Sequence, residues 1–128
     1  MVSERTKGVE VSVETEYQPE YSSPRQYHFV FTYKVVITNK SDSTIQLLRR
    51  HWHIHDAGFK SREVEGEGVV GQQPVLEPGH THQYISGCNL KSGLGKMHGT
   101  YLIEKVIDGY HFKVNIPEFM MTAPYRLN

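Results

Sequence analysis

Three histidines at alternate positions, His51, His53 and His55, are the residues whose spacing most directly suggests chemistry. In an extended strand, residues i, i+2 and i+4 project from one face, about 6.5–7 Å apart along the backbone. Two such imidazoles can reach one metal ion, and a third can complete the set after a bend. Neutral imidazole suits Zn, Co, Ni and Cu. His51, His53 and His55 are therefore candidate metal ligands, set against the plainer reading of a solvated sheet face. His80 and His82 repeat the alternation further on, and Glu63 and Glu65 are nearby carboxylates.

Gly66-Glu67-Gly68-Val69-Val70-Gly71 matches the letters G-x-G-x-x-G of a dinucleotide-binding loop. That chemistry needs a strand before and a helix after, so that a helix N-terminus meets the pyrophosphate. Gln72-Gln73-Pro74 and then Pro78-Gly79 follow, so no helix can form. Glu67 would also repel phosphate, and a Rossmann site is excluded. Two readings stay open for Gly66, Gly68 and Gly71. Their N–H groups can form an anion-binding nest, or the glycines serve positive φ angles in a long loop. Cys88 sits in Gly87-Cys88-Asn89, which is no known catalytic run, and a lone thiol at a strand end is usually packed. The acids are scattered without the pairing that general acid–base catalysis requires. No enzyme is expected. Eight tyrosines, from Tyr17 to Tyr125, read mostly as residues at the margin of a core.

The elements that must position these residues repeat with period two. Val9, Val11 and Val13 alternate with polar residues, and Tyr27 to Ile37 is apolar or aromatic at every odd position. Thr44 to Asp56 places Leu48, Trp52 and Ile54 on one face, with Arg49, His51, His53 and His55 on the other. Phe59 to Glu65 can return as a hairpin strand. His80 to Ser86, Lys96 to Ile107 and Tyr110 to Ile116 follow, the last two separated by the hairpin signal Asp108-Gly109. Turn signals without intervening helices point to an all-β antiparallel sandwich of about seven or eight strands, immunoglobulin- or fibronectin type III-like. Trp52 is the expected core anchor.

Composition narrows the partners. The chain has 128 residues with 14 Lys+Arg against 14 Asp+Glu, so it carries no electrostatic footprint for nucleic acid or an anionic membrane. One domain over 1–128 is expected, with about 1–7 and 120–128 loosely ordered. One cysteine excludes an internal disulfide. A polar start and the lack of ~18 consecutive apolar residues lead to the expectation of a soluble cytoplasmic protein. Eight histidines leave the charge free to rise as pH falls.

Leu47-Leu48-Arg49-Arg50-His51-Trp52, the run Gly66 to Leu76, and Ser86-Gly87-Cys88 resemble the ApaG family of bacterial proteins. Tyr17 to Glu20 with Ser22-Ser23-Pro24, and Met97 to Tyr101, fit the same resemblance, which spans about Val9 to Phe119. It implies a fibronectin type III-like sandwich, a link to cobalt resistance and magnesium efflux, and protein-interaction roles for related eukaryotic domains. It also implies a pyrophosphate role for the loop holding Gly66, Gly68 and Gly71. His53, His55, His80 and His82 stand where the family usually has other residues, so the histidine set is this chain's own. The combined expectation is a non-enzymatic module for a protein partner, binding through Gly66, Gly68, Gly71, Arg49, Arg50 and His51. The alternative is a small-anion or Co/Mg-binding protein. No cofactor beyond such a divalent metal is expected, and monomer and homodimer both stay open.

Overall fold

Each period-two run becomes a strand because it can turn an apolar row onto a facing sheet and a polar row into water. The computed structural model describes residues 1–124, and Tyr125 lies outside them. In chain order the strands are β1 (Val2–Thr6), β2 (Val9–Tyr17), β3 (Phe29–Asn39), β4 (Ile45–Asp56), β5 (Arg62–Glu67), β6 (Val75–Leu76), β7 (Thr81–Leu90), β8 (Leu94–Lys105) and β9 (Tyr110–Thr122). They form two antiparallel sheets in the order β1-β2-β3-β7 and β5-β4-β8-β9, with β6 on the start of β4. The expected sandwich is present, and Cys88 is unpaired. Among the described residues no helix is long and apolar enough to cross a membrane.

The core lies between the sheets. Trp52 is 2% exposed and meets Tyr33 of the other sheet edge-on at 5.3 Å, with Phe119 at 5.9 Å and Tyr101 at 6.5 Å. Two buried polar side chains are fully engaged. Asn39 donates to the Ser43 and Leu76 carbonyls and accepts from Ser41, tying loop to strand. Asp56 accepts from the Lys91 and Ser92 amides and the Ser92 hydroxyl, pinning the β7–β8 turn to the end of β4.

Several expected boundaries move. The first seven residues, expected to be loosely ordered, form β1 and its turn. Lys7 and Gly8 both take positive φ, 48° and 83°, the turn geometry that matches the twist of a tight hairpin. Residues 120–122 complete β9, which continues past Ile116 through a bulge at the Met97–Gly99 step of β8. β7 runs on to Leu90, past the expected strand end at Ser86. The β8–β9 connection is the four residues Val106 to Gly109, wider than the two-residue turn that Asp108-Gly109 suggests.

The main correction concerns Leu48. Leu47 faces Ile103 while Arg49 faces Leu102, so Leu48 is one residue more than β8 can pair. Ile45 and Leu47 are buried before this bulge, and Trp52, Ile54 and Asp56 after it. Leu47, not Leu48, is the core residue, because the bulge changes which parity points inward.

β4 and β8 approach closely where Gly99 lies opposite Trp52. A Cβ there would sit 2.1 Å from the His51 carbonyl oxygen, a backbone atom that cannot rotate away. Gly99→Ala is expected to cost about 2 kcal/mol or more in urea unfolding, as overpacking against backbone does. At Gly87 a Cβ would meet only the Phe31 carbonyl at 3.5 Å, and Gly87→Ala should change stability by no more than about 0.5 kcal/mol.

Candidate functional site

Beyond the bulge, β4 sends its odd residues out and its even residues in. Outward, Arg49, His51 and His53 lie opposite Glu67, Glu65 and Glu63 of β5. On the other flank, His53 lies opposite His98 of β8. Cross-strand neighbours on one face sit about 4.5–5.5 Å apart at Cβ, so a row of imidazoles meets a row of carboxylates.

Glu63 joins two of the histidines. Its Oε1 lies 3.1 Å from His53 Nδ1 and 3.5 Å from His51 Nε2. The His51 and His53 rings are 4.6 Å apart, and the three ligand atoms fall within 4.8 Å of one another. His51 Nε2 is buried and, among the described residues, makes no hydrogen bond, with Glu63 Oε1 3.5 Å away. His55, the expected third ligand, turns elsewhere. Its Nδ1 meets the Ser61 hydroxyl at 2.9 Å and its Nε2 meets His98 Nε2 at 3.3 Å. His98 stacks on both His53 and His55, at 4.9 and 5.4 Å. Desolvation first, then the neighbouring His53 and His55, holds its pKa below the ordinary histidine value. His80 and His82 belong to the β7 end of the other sheet, His80 beside Glu77 at 3.6 Å. The five sequence histidines thus divide between two sheets.

Sequence reading missed His98 and left Glu63 unplaced. His98 alternates with the buried Met97, so its outward direction was readable, but its position beside His53 depends on the β4–β8 register.

Arg50 points inward, away from Arg49 and His51. Its Nη1 donates to the Glu67 carbonyl at 2.9 Å and the Gly68 carbonyl at 3.1 Å. Gly66 gives it room, because a Cβ there would lie 3.1 Å from that nitrogen. Gly68 (φ 64°) and Gly71 (φ 75°) shape the turn, and a Cβ on Gly68 would meet the Gln72 carbonyl oxygen at 2.3 Å. The Gly68 amide donates to the Leu48 carbonyl, while Val69 and Gln72 pair with each other through their backbones. Val69 is 1% exposed and plugs the core beneath the loop. The three glycines therefore have steric and conformational work in this loop. At least three of its N–H groups are directed to protein carbonyls.

Cys88 is 7% exposed, and Arg62 donates to its sulfur at 3.6 Å and to the Asn89 carbonyl at 2.7 Å. Burial raises the thiol pKa, and the Arg62 charge offsets this only in part. At pH 8, reaction with Ellman's reagent is expected to run about tenfold or more slower than for free cysteine, quickening only above the usual thiol range near 8.5. A rate equal to free cysteine's would contradict this picture of a packed thiol.

Proteins of similar sequence share this architecture. The family model for the ApaG domain matches residues 19–105. A protein named ApaG from Paramagnetospirillum magneticum is 47% identical over 131 residues, covering 100% of both chains. One of the same name from Acidithiobacillus ferrooxidans is 49% identical over 116 residues and 90% of each chain. A crystal structure of a Bordetella pertussis protein superposes with a TM-score of 0.87 at 46% identity, covering 91% of this chain and 94% of that one. With a family match over most of its length and relatives near half identity end to end, this chain belongs to the ApaG family.

Proposed function

We propose that this chain is a non-enzymatic binding domain whose outer sheet face takes up a divalent transition-metal ion through His51, His53 and Glu63. The observation that supports it is the spacing of the three ligand atoms. An ion bound tetrahedrally at about 2.0–2.1 Å keeps its ligands roughly 3.3–3.4 Å apart. Glu63 Oε1 stands 3.1 and 3.5 Å from the two imidazole nitrogens, and one of these, His51 Nε2, is buried without a hydrogen bond.

Two imidazoles and one carboxylate leave a fourth position for water or a partner's ligand. The set suits Co, Ni, Cu or Zn and does not suit Mg, which demands an octahedron of oxygens. Cobalt is one of the cargoes that this donor set fits, in line with the cobalt link that the family resemblance implies, and the place of action is the cytoplasm. A pyrophosphate role for the Gly66–Gly71 loop has less support, because the Gly68 and Val69 amides are already directed to protein carbonyls.

Calorimetry at pH 7.5 is expected to show one Co²⁺ or Zn²⁺ per chain and no heat with Mg²⁺. His53→Ala and Glu63→Gln should each weaken the affinity by at least about 10–100-fold, since that much is lost when only a group supporting a metal ligand is removed. His80→Ala, on the other sheet, should leave it unchanged. Acidification should release the ion, since protons compete for both imidazoles and the carboxylate. Absence of heat with every transition metal, or binding indifferent to His53→Ala, would sink the proposal.

A further inference from the structure

The two ends of the sandwich are built differently. At one end β1 packs beside β9, and Asn115 of β9 donates to the Glu4 carboxylate at 2.8 Å and to the Thr6 hydroxyl at 3.2 Å. At the other end, β7 and β5 are the last strands of their sheets and stand apart around a cleft of about 310 Å³. Its floor is Trp52 and Met97, and its walls include Ser86 and Val64. β5 is exposed along almost its whole length, and Val64, on the inward face opposite Trp52, is 39% exposed. β7 is the last strand of its sheet, and no strand of that sheet lies beyond it over Val64.

β7 also lacks the guards that usually blunt a sheet edge, namely charge, proline or a bulge. β1 has Glu4 and Arg5, β5 has Arg62, Glu63, Glu65 and Glu67, and β9 has Lys113, Pro117, Glu118 and a bulge. Thr81–Leu90 has no Asp, Glu, Lys, Arg or Pro, pairs with β3 without a register shift, and carries Ile85 at 62% exposure. The Asn89 carbonyl accepts from Arg62 across the open end, so it faces the free edge. In an antiparallel strand both backbone groups of a residue point to one side, and every second residue shares that side. Gln83, Ile85 and Gly87 therefore offer N–H and C=O groups to an incoming chain.

The cleft also states a charge preference. Arg50 and Arg62 both line it, each anchored on neutral acceptors: the Glu67 and Gly68 carbonyls for one, the Asn89 carbonyl and Cys88 sulfur for the other. Among the described residues no carboxylate lines it, so the two guanidinium groups meet no acid within the cleft. Along the inward face of β5, Arg62, Val64 and Gly66, over which Arg50 lies, repeat at i, i+2 and i+4.

From these placements we propose that β7 accepts an extended segment of a partner protein as a fifth strand of its sheet. The inward residues of that segment read acidic, apolar, acidic at alternate positions. Its backbone pairs with Gln83, Ile85 and Gly87, its apolar side chain covers Val64, and its two carboxylates meet Arg62 and Arg50. This is strand addition, in which main-chain bonds give affinity and alternate side chains give specificity. A second copy of this chain fits less well, because the inward residues of its own β7, Tyr84, Ser86 and Cys88, bring no carboxylate. The surface is separate from the metal face, which lies on the opposite side of β5.

The test uses the full chain and a labelled heptapeptide, Thr-Glu-Thr-Val-Thr-Glu-Thr, with Thr-Lys-Thr-Val-Thr-Lys-Thr as its charge-reversed control. Fluorescence anisotropy should show the glutamate peptide binding at least tenfold more tightly than the lysine peptide. Arg62→Glu, at an exposed position, should abolish that preference, because the cleft then holds one positive and one negative charge. Ile85→Pro, which removes an edge N–H outside the β3 ladder, should weaken the glutamate peptide at least tenfold, and His53→Ala should leave it unchanged. Residue-resolved amide exchange should show Gln83, Ile85 and Gly87 exchanging fast alone and protected with peptide. Equal or absent binding of the two peptides would overturn the proposal. So would peptide-induced protection confined to β1 or β9, or a homodimer that already protects these three amides.

Discussion

One unpaired residue governs the faces of this domain. Leu48 has no counterpart on β8, so the inward parity of β4 changes from odd to even across it. The anchors before the bulge, Ile45 and Leu47, and those after it, Trp52 and Ile54, then reach the same core. Without the extra residue the strand could satisfy one half only by turning the other half out, because a one-residue slip reverses every side chain. Trp52 would lose its edge-on contact with Tyr33, which joins the two sheets, and that with Phe119 of its own sheet.

The same shift separates three consecutive residues into different chemistries. Arg49 and His51 go out to meet the carboxylate row of β5, and Arg50 goes in. Arg50 then needs acceptors at the margin of an apolar interior, and the Glu67 and Gly68 carbonyls provide them. Those carbonyls are within reach because Gly66 has no side chain to hold the guanidinium off. A glycine motif that spells a nucleotide fingerprint thus seats an arginine. Its other glycines close a turn whose Val69 fills the core beneath.

Much of this was readable from alternation. The runs Val9 to Val13 and Tyr27 to Ile37 had one outcome open to them, since period two with an apolar row requires a sheet with one buried face. Trp52 as core anchor and the outward direction of His51, His53 and His55 follow from the same rule. Leu48 was misread because a bulge leaves no mark in a run of two leucines, where either can be the one that packs. β1 was passed over because Lys7-Gly8 is a weak turn signal, and Lys at positive φ is uncommon. Ordered pairing there depends on β2 and on contacts with β9 distant in sequence.

Sequence by itself determined the class of fold, the single thiol without a disulfide, the balance of charge that disfavours polyanions, and the row of histidines along one side of a strand. These are properties of local pattern and count, which need no knowledge of neighbours. Tertiary structure alone decided that Glu63 stands between His51 and His53, that His98 takes His55 away from them, and that Arg50 and Arg62 share an uncovered cleft. Each of these depends on the register between strands far apart in the chain. Register follows from where a bulge falls and which strand has no partner, and both are settled only when the two sheets pack.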